Sequence, residues 1–155
     1  MRRIIIFSLA MILFPSCGSD NDQFIVDTAI NISVSDGEGN DLLNPVNVKS
    51  FMENEIKIFY IVNGQEIEVN NIDMAYPKGF FIYEDENEFR LRVFPNVDKN
   101  SELPVTYIKW NDKVVDTIKC SIERKNNSEI CTKVWLNDNL VWEGYETERF
   151  FEIIK

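Results

Sequence analysis

Ile56-Lys57-Ile58-Phe59-Tyr60-Ile61-Val62-Asn63-Gly64-Gln65-Glu66-Ile67-Glu68-Val69 decides the fold class. Asn63-Gly64 is the strongest two-residue hairpin signal, because both residues tolerate positive φ. Pairing outward from it sets Val62 opposite Gln65, Tyr60 opposite Ile67 and Ile58 opposite Val69. One face then gathers Ile56, Ile58, Tyr60, Val62, Ile67 and Val69. The other carries Lys57, Phe59, Ile61, Glu66, Glu68 and Asn70. One buried face and one mostly wet face mark an antiparallel sheet.

The same alternation recurs on both sides of this hairpin. Gly79 to Glu84 and Glu88 to Phe94 flank the acidic turn Asp85-Glu86-Asn87. Leu103 to Glu123 reads as a hairpin about Asn111-Asp112, with Leu103 opposite Cys120, Val105 opposite Ile118 and Tyr107 opposite Asp116. That register sends Leu103, Val105, Tyr107, Ile118, Cys120 and Ile122 to the core, and Ile108, Trp110 and Val115 outward. Ile130 to Leu136 and Leu140 to Trp142 pair around Asn137-Asp138, and Glu148 to Ile154 closes the chain. Upstream, Phe24 to Val34 is a first strand. It ends in Asp36-Gly37-Glu38-Gly39-Asn40-Asp41, whose glycines are misplaced for a calcium loop and suit a plain turn. A strand running into Asp-Gly and then Gly-Asn-Asp-Leu-Leu resembles the first turn of transthyretin-like and immunoglobulin-like sandwiches. The expected fold is all-β: a single antiparallel β-sandwich of seven to nine strands over residues 24–155.

The N-terminus says where such a domain is displayed. Met1-Arg2-Arg3, an apolar run from Ile4 to Phe14 and the small residue Ser16 form the three parts of an export signal. The apolar run is about half of the roughly 20 residues needed to span a bilayer, and Pro15 ends it. Cys17 directly after Ser16 resembles the lipidated first residue of a bacterial lipoprotein, although the position three before it holds Phe14 where Leu, Val or Ile is usual. Residues 1–16 are then a cleaved signal and 17–23 a disordered, lipid-anchored tether; an ordinary cleaved signal is the alternative. Ser19-Asp20-Asn21-Asp22 resembles the acidic export tag of Bacteroidota surface lipoproteins. The Trp-Asn-Asp and Val-Trp-Glu-Gly composition of the C-terminal half is similar to small lipoproteins of that group, which carry no assigned activity. The resemblance implies the outer membrane and the cell surface, with its periplasmic face as the alternative.

Composition narrows the chemistry. Without residues 1–16 the chain keeps 14 basic against 26 acidic groups, a formal charge of −12. A field of that sign repels phosphate backbones and excludes nucleic acid as a partner. The chain has no histidine, which removes the commonest general base and most zinc sites. No phosphate loop, dinucleotide fingerprint or nucleophile elbow is present, so neither a cofactor nor a metal is expected. The abundant carboxylates alternate on strands as a solvated face would; a hydrolase built on a carboxylate pair is the rival reading.

Four further residue sets carry expectations. Trp110, Trp135 and Trp142 fall near hairpin tips, where aromatic faces suit sugar rings, or else they pad the ends of the sandwich. Cys120 and Cys131 would meet an oxidising compartment. Strict alternation points them to opposite faces and a one-residue shift of register brings them together, so a disulfide stays open. Thr28, in Asp27-Thr28-Ala29, resembles the site at which Bacteroidota attach O-glycans to exported proteins, as does Thr117. The expected function is a non-catalytic binding or structural module, held at the membrane by its lipid and meeting a glycan or an envelope protein.

Overall fold

The structure, a computed structural model, describes residues 23–155. The signal, Cys17 and the tether up to residue 22 lie outside the described residues. Eleven strands and no helix appear among those described. They are β1 (Ile25–Asp27), β2 (Ile30–Ser35), β3 (Lys57–Val62), β4 (Gln65–Glu68), β5 (Phe80–Asp85) and β6 (Glu88–Val93). After these come β7 (Val105–Lys109), β8 (Val115–Lys125), β9 (Ser128–Leu136), β10 (Asn139–Glu143) and β11 (Phe150–Ile154).

Two sheets pack face to face. The larger runs β1-β9-β8-β7-β3-β4, with β10 also on β9; the smaller runs β11-β2-β6-β5. Ile30, Ile32, Val34, Leu91, Val93, Phe151 and Ile153 from the smaller sheet meet Ile58, Ile108, Ile118, Cys120, Cys131 and Val134 from the larger. Each fully buried aliphatic side chain here contributes about 1.5–3 kcal/mol, and this shared interior is what holds the sheets together. The all-β sandwich is as expected, but its sheets are mixed. β1 lies parallel to β9 and β11 parallel to β2, while the other strand pairings are antiparallel.

The parallel pairs have one origin. The expected strand Phe24 to Val34 breaks at Thr28-Ala29 and changes sheets there, pairing first with β9 and then with β6 and β11. Arg149 staples the crossing. Its guanidinium bonds Asp27 at 3.1 Å, donates to the Ala29 carbonyl at 2.7 Å and to the Cys131 carbonyl at 2.9 Å. Thr28 is buried at this switch, so a glycan on its hydroxyl would need the crossing to open.

The hairpin β3–β4 has the expected register, including the Val69 N–H to Ile58 carbonyl bond at 2.9 Å. Asn63 and Gly64 both take positive φ, as the turn requires. Ile67 is the exception on the expected core face: β4 is an edge strand and leaves it half exposed.

The second hairpin is displaced by one residue. Val105 pairs with Lys119, Thr106 with Ile118 and Ile108 with Asp116. The tip holds three residues, not two: Trp110 N–H bonds the Val114 carbonyl, and the Asn111 side chain accepts from Lys113 and Val114 N–H. Side chains alternate with period two, so this shift turns all of β7 over. Thr106, Ile108 and Trp110 go to the core, and Val105 and Tyr107 outward.

Candidate functional site

The three tryptophans do not share a surface. Trp110 is fully buried, stacks on Phe51 with ring centroids 5.2 Å apart and donates its indole N–H to Asp116 at 2.7 Å. Trp142 is buried beneath the Arg149 guanidinium, 4.8 Å from its ring centroid, and donates to Thr147 at 3.2 Å. A bulge between Leu140 and Trp142 places it opposite Val134 on the core side. Trp135 is half-buried and pairs with Lys119. An open sugar platform built from these residues is therefore overturned. The cause is the shifted β7–β8 register for Trp110 and the bulge for Trp142.

A bulge also decides the cysteines. Ser121 faces Lys133 and Ile122 faces Cys131, leaving Thr132 as the extra residue. The alternation resets, so Cys120 and Cys131 both point into the core, where they are free thiols. The neighbouring Cys131 thiol and burial together push the Cys120 thiol well above its ordinary range, and Cys131 Sγ itself donates to the Lys133 carbonyl at 3.5 Å.

Sequence reading passed over a concavity with an apolar wall among the described residues. Between β2 and β3, residues 36–56 fold into a run of side-chain-capped turns. Asp41 organises it, accepting from Leu43 N–H at 2.7 Å, from Asn44 N–H at 3.2 Å and, across to β6, from Phe89 N–H at 2.8 Å. Asn44 and Asn47 cap the next turns, at Val46 and Lys49 N–H. Such short polar side chains satisfy the backbone locally and need no sheet. The loop thereby stands over the open side of the sandwich and leaves a cleft of about 480 Å³.

Leu43, Phe51, Met52, Ile82 and Phe89 give this cleft an apolar wall, with Lys78 and Glu53 among its polar residues. Its volume lies in the usual 300–1,000 Å³ of ligand pockets, and an apolar lining with a few polar groups is the common pattern of such sites. Trp110 takes part at one remove, since the ring behind Phe51 fixes that wall. The 36–56 loop exposes further apolar side chains, Val46, Val48 and Met52, with Val48 99 % exposed, whereas Tyr76 stacks on Phe81 and Phe94. Apolar residues spaced through an otherwise polar loop were the available sequence signal. They fit neither period two nor 3.6 and so belonged to no element.

A second, polar pocket of about 270 Å³ lies at the sheet crossing, with Asn31, Arg92, Trp142, Glu148 and Arg149 among its walls. Asn31 donates to Glu148 at 2.7 Å, which leaves its Oδ1 without a partner among the described residues; Arg149 Nε is in the same state. Both atoms are buried, and the staple described above engages only the two terminal nitrogens of the Arg149 guanidinium.

The titrating carboxylates are explained by pairing. Hydrogen bonds from Asn40 hold Asp36 at about 2. A hydrogen bond from Lys99 lowers Glu129, and one from Lys125 lowers Glu123. Burial works to raise the Asp116 carboxyl, but hydrogen bonds from Lys155, Asn137 and Trp110 bring it below its ordinary value. All four are therefore ionised near neutrality. No protein family, curated protein or solved structure matches the chain.

Proposed function

We propose that this protein is a lipid-anchored module of the bacterial outer membrane that binds another envelope protein, without catalysis, at the cleft between the 36–56 loop and strands β5 and β6. The observation that carries the reading is the cleft and the loop that walls it: Met52 lines the cleft and stands partly in solvent, and Val46 and Val48 are exposed on the same loop. Exposed apolar side chains grouped in this way mark interaction sites on monomers. A cleft of this size takes one or two side chains of a partner, and the capped turns hold its wall in shape before binding, which lowers the entropic cost of association. The N-terminal signal ending at Ser16-Cys17 supports the anchor, and the acidic Ser19 to Asp22 supports display at the cell surface.

Two measurements test this. Mass spectrometry of the native N-terminus should find Cys17 first and acylated; an unmodified terminus removes the anchor. A photo-crosslinking residue placed at Val48 in growing cells should give one discrete protein adduct, lost on Met52→Glu. No adduct, or one indifferent to that substitution, removes the cleft as the binding site. Neither glycan binding by the tryptophans nor a carboxylate-pair hydrolase has an observation in its favour.

A further inference from the structure

A second exposed surface lies away from the cleft, on the first strand. Phe24, Ile25 and Val26 are 54, 58 and 60 % exposed, because β1 is the outermost strand of its sheet and only β9 flanks it. Proteins normally blunt such an edge with charge or proline, since an apolar open strand invites pairing with other chains. Here the nearby charge of Asp27 is taken up by Arg149. Beside β1 stands the β8–β9 hairpin tip, whose Asn127 carbonyl accepts the Ile25 N–H at 2.7 Å. The charges of that tip are paired within the chain, Arg124 with Glu129 and Lys125 with Glu123, so the edge presents apolar side chains beside neutralised charge.

Resting on the lipid-anchor reading, we propose that this edge is seated on the bilayer. Phe24, Ile25 and Val26 enter the boundary between headgroups and acyl chains. The length of the tether argues for this occupant. Six residues, Gly18 to Gln23, separate Cys17 from Phe24, and even fully extended they span only about 20 Å. The headgroup layer itself takes about 5–8 Å of each leaflet. The lipid on Cys17 therefore holds β1 at the membrane surface at high local concentration, so that weak apolar contacts suffice to seat it. The strand order adds a consequence for the cleft. Its loops lead into β3 and flank β5, which lie across their sheets from β1 and β11. Seating β1 turns the cleft away from the bilayer.

The test uses the full lipidated chain in vesicles of phosphatidylethanolamine and phosphatidylglycerol with brominated acyl chains. Phe24→Trp reports on the edge, and Tyr83→Trp, on β5, reports on a remote site; the wild-type emission is subtracted from each. The indole at position 24 should be quenched several-fold more than that at position 83. Ile25→Asp with Val26→Asp should abolish the difference while leaving the melting temperature of the domain unchanged. Equal quenching at both positions, or none at position 24, overturns the proposal. So does an unquenched indole together with a crosslinked dimer, which would make a second copy the occupant. The intact mass of the same sample separates the two readings. A chain without acyl groups removes the anchor itself, and an acylated chain with an unquenched indole removes only the seat.

Discussion

Asp116→Ala should be the most damaging single change at a polar residue, and the structure sets its size. Asp116 is buried on β8 and accepts from Trp110 Nε1 at 2.7 Å, from Asn137 Nδ2 at 2.9 Å and from the Lys155 ammonium. The three donors fare differently once the carboxylate is gone. Trp110 is fully buried, so its N–H keeps no partner, at a cost of about 1–3 kcal/mol. Lys155 and Asn137 reach solvent and recover most of what they lose, but the hydrogen bonds to a charged acceptor go with them, each worth about 1.5–3 kcal/mol net. A total of about 3 kcal/mol follows, at the lower end for a broken buried ion pair. With a urea m-value of about 2 kcal/mol per M, the midpoint of urea unfolding should fall by about 1.5 M. In a Trp110→Phe background the same substitution should cost about 1–2 kcal/mol less, because the stranded donor is no longer there. The pH dependence carries a sign as well. The Asp116 pKa is lowered by folding, so its contribution is complete above the unfolded carboxyl value of about 3.9 and is lost as pH falls through the folded value. Asp116→Asn should flatten that acid limb. A loss under about 1 kcal/mol at neutral pH, or no coupling to Trp110, would refute the network as described.

Gly79→Ala should destabilise by about 2–3 kcal/mol, read from urea unfolding, because φ is +74° there and a Cβ would lie 2.9 Å from Val69 Cγ1. Trp110→Ala should cost about 3–5 kcal/mol as a core truncation, while the same change at half-buried Trp135 should cost about 1 kcal/mol or less; equal losses would contradict the β7–β8 register. Cys120 and Cys131 should be silent to a thiol reagent in the native protein and should both react after unfolding in denaturant, since both are buried free thiols. Reaction in the native state would mean that the Thr132 bulge does not hold them inward.

Local turn chemistry decided what could be read from the chain alone. Asn63-Gly64 admits one loop length, so the register of β3–β4 and its buried face followed from it. Asn111-Asp112 looks equally informative, yet the Asn111 side chain caps two backbone N–H groups and makes a three-residue tip. One extra residue was enough to exchange the faces of β7 and hide Trp110. The bulges at Thr132 and between Leu140 and Trp142 are likewise invisible to a period-two count, because each inserts a residue without breaking the strand. The sheet change at Thr28-Ala29 leaves no mark either, since both halves are β-rich. The cleft escaped for a different reason. Its wall is drawn from a loop and two distant strands, and side chains such as Phe51 and Phe89 come together only once Asp41 ties the loop to β6.

The sheet change near the N-terminus has a mechanical side. Were the chain fastened through Cys17 as proposed, any pull on a bound partner would enter as tension at β1. The pairings of Ile25, Val26 and Asp27 with β9 meet that load first. Behind them stands the grip of Arg149 on Asp27 and on the Ala29 carbonyl. Beyond Ala29 the tension reaches β2, which is held on both sides, by β11 and by β6. On that reading the short first strand would peel and lengthen the proposed tether while the sandwich behind it stays closed, so a pull on a bound partner would be taken up before it reaches the core.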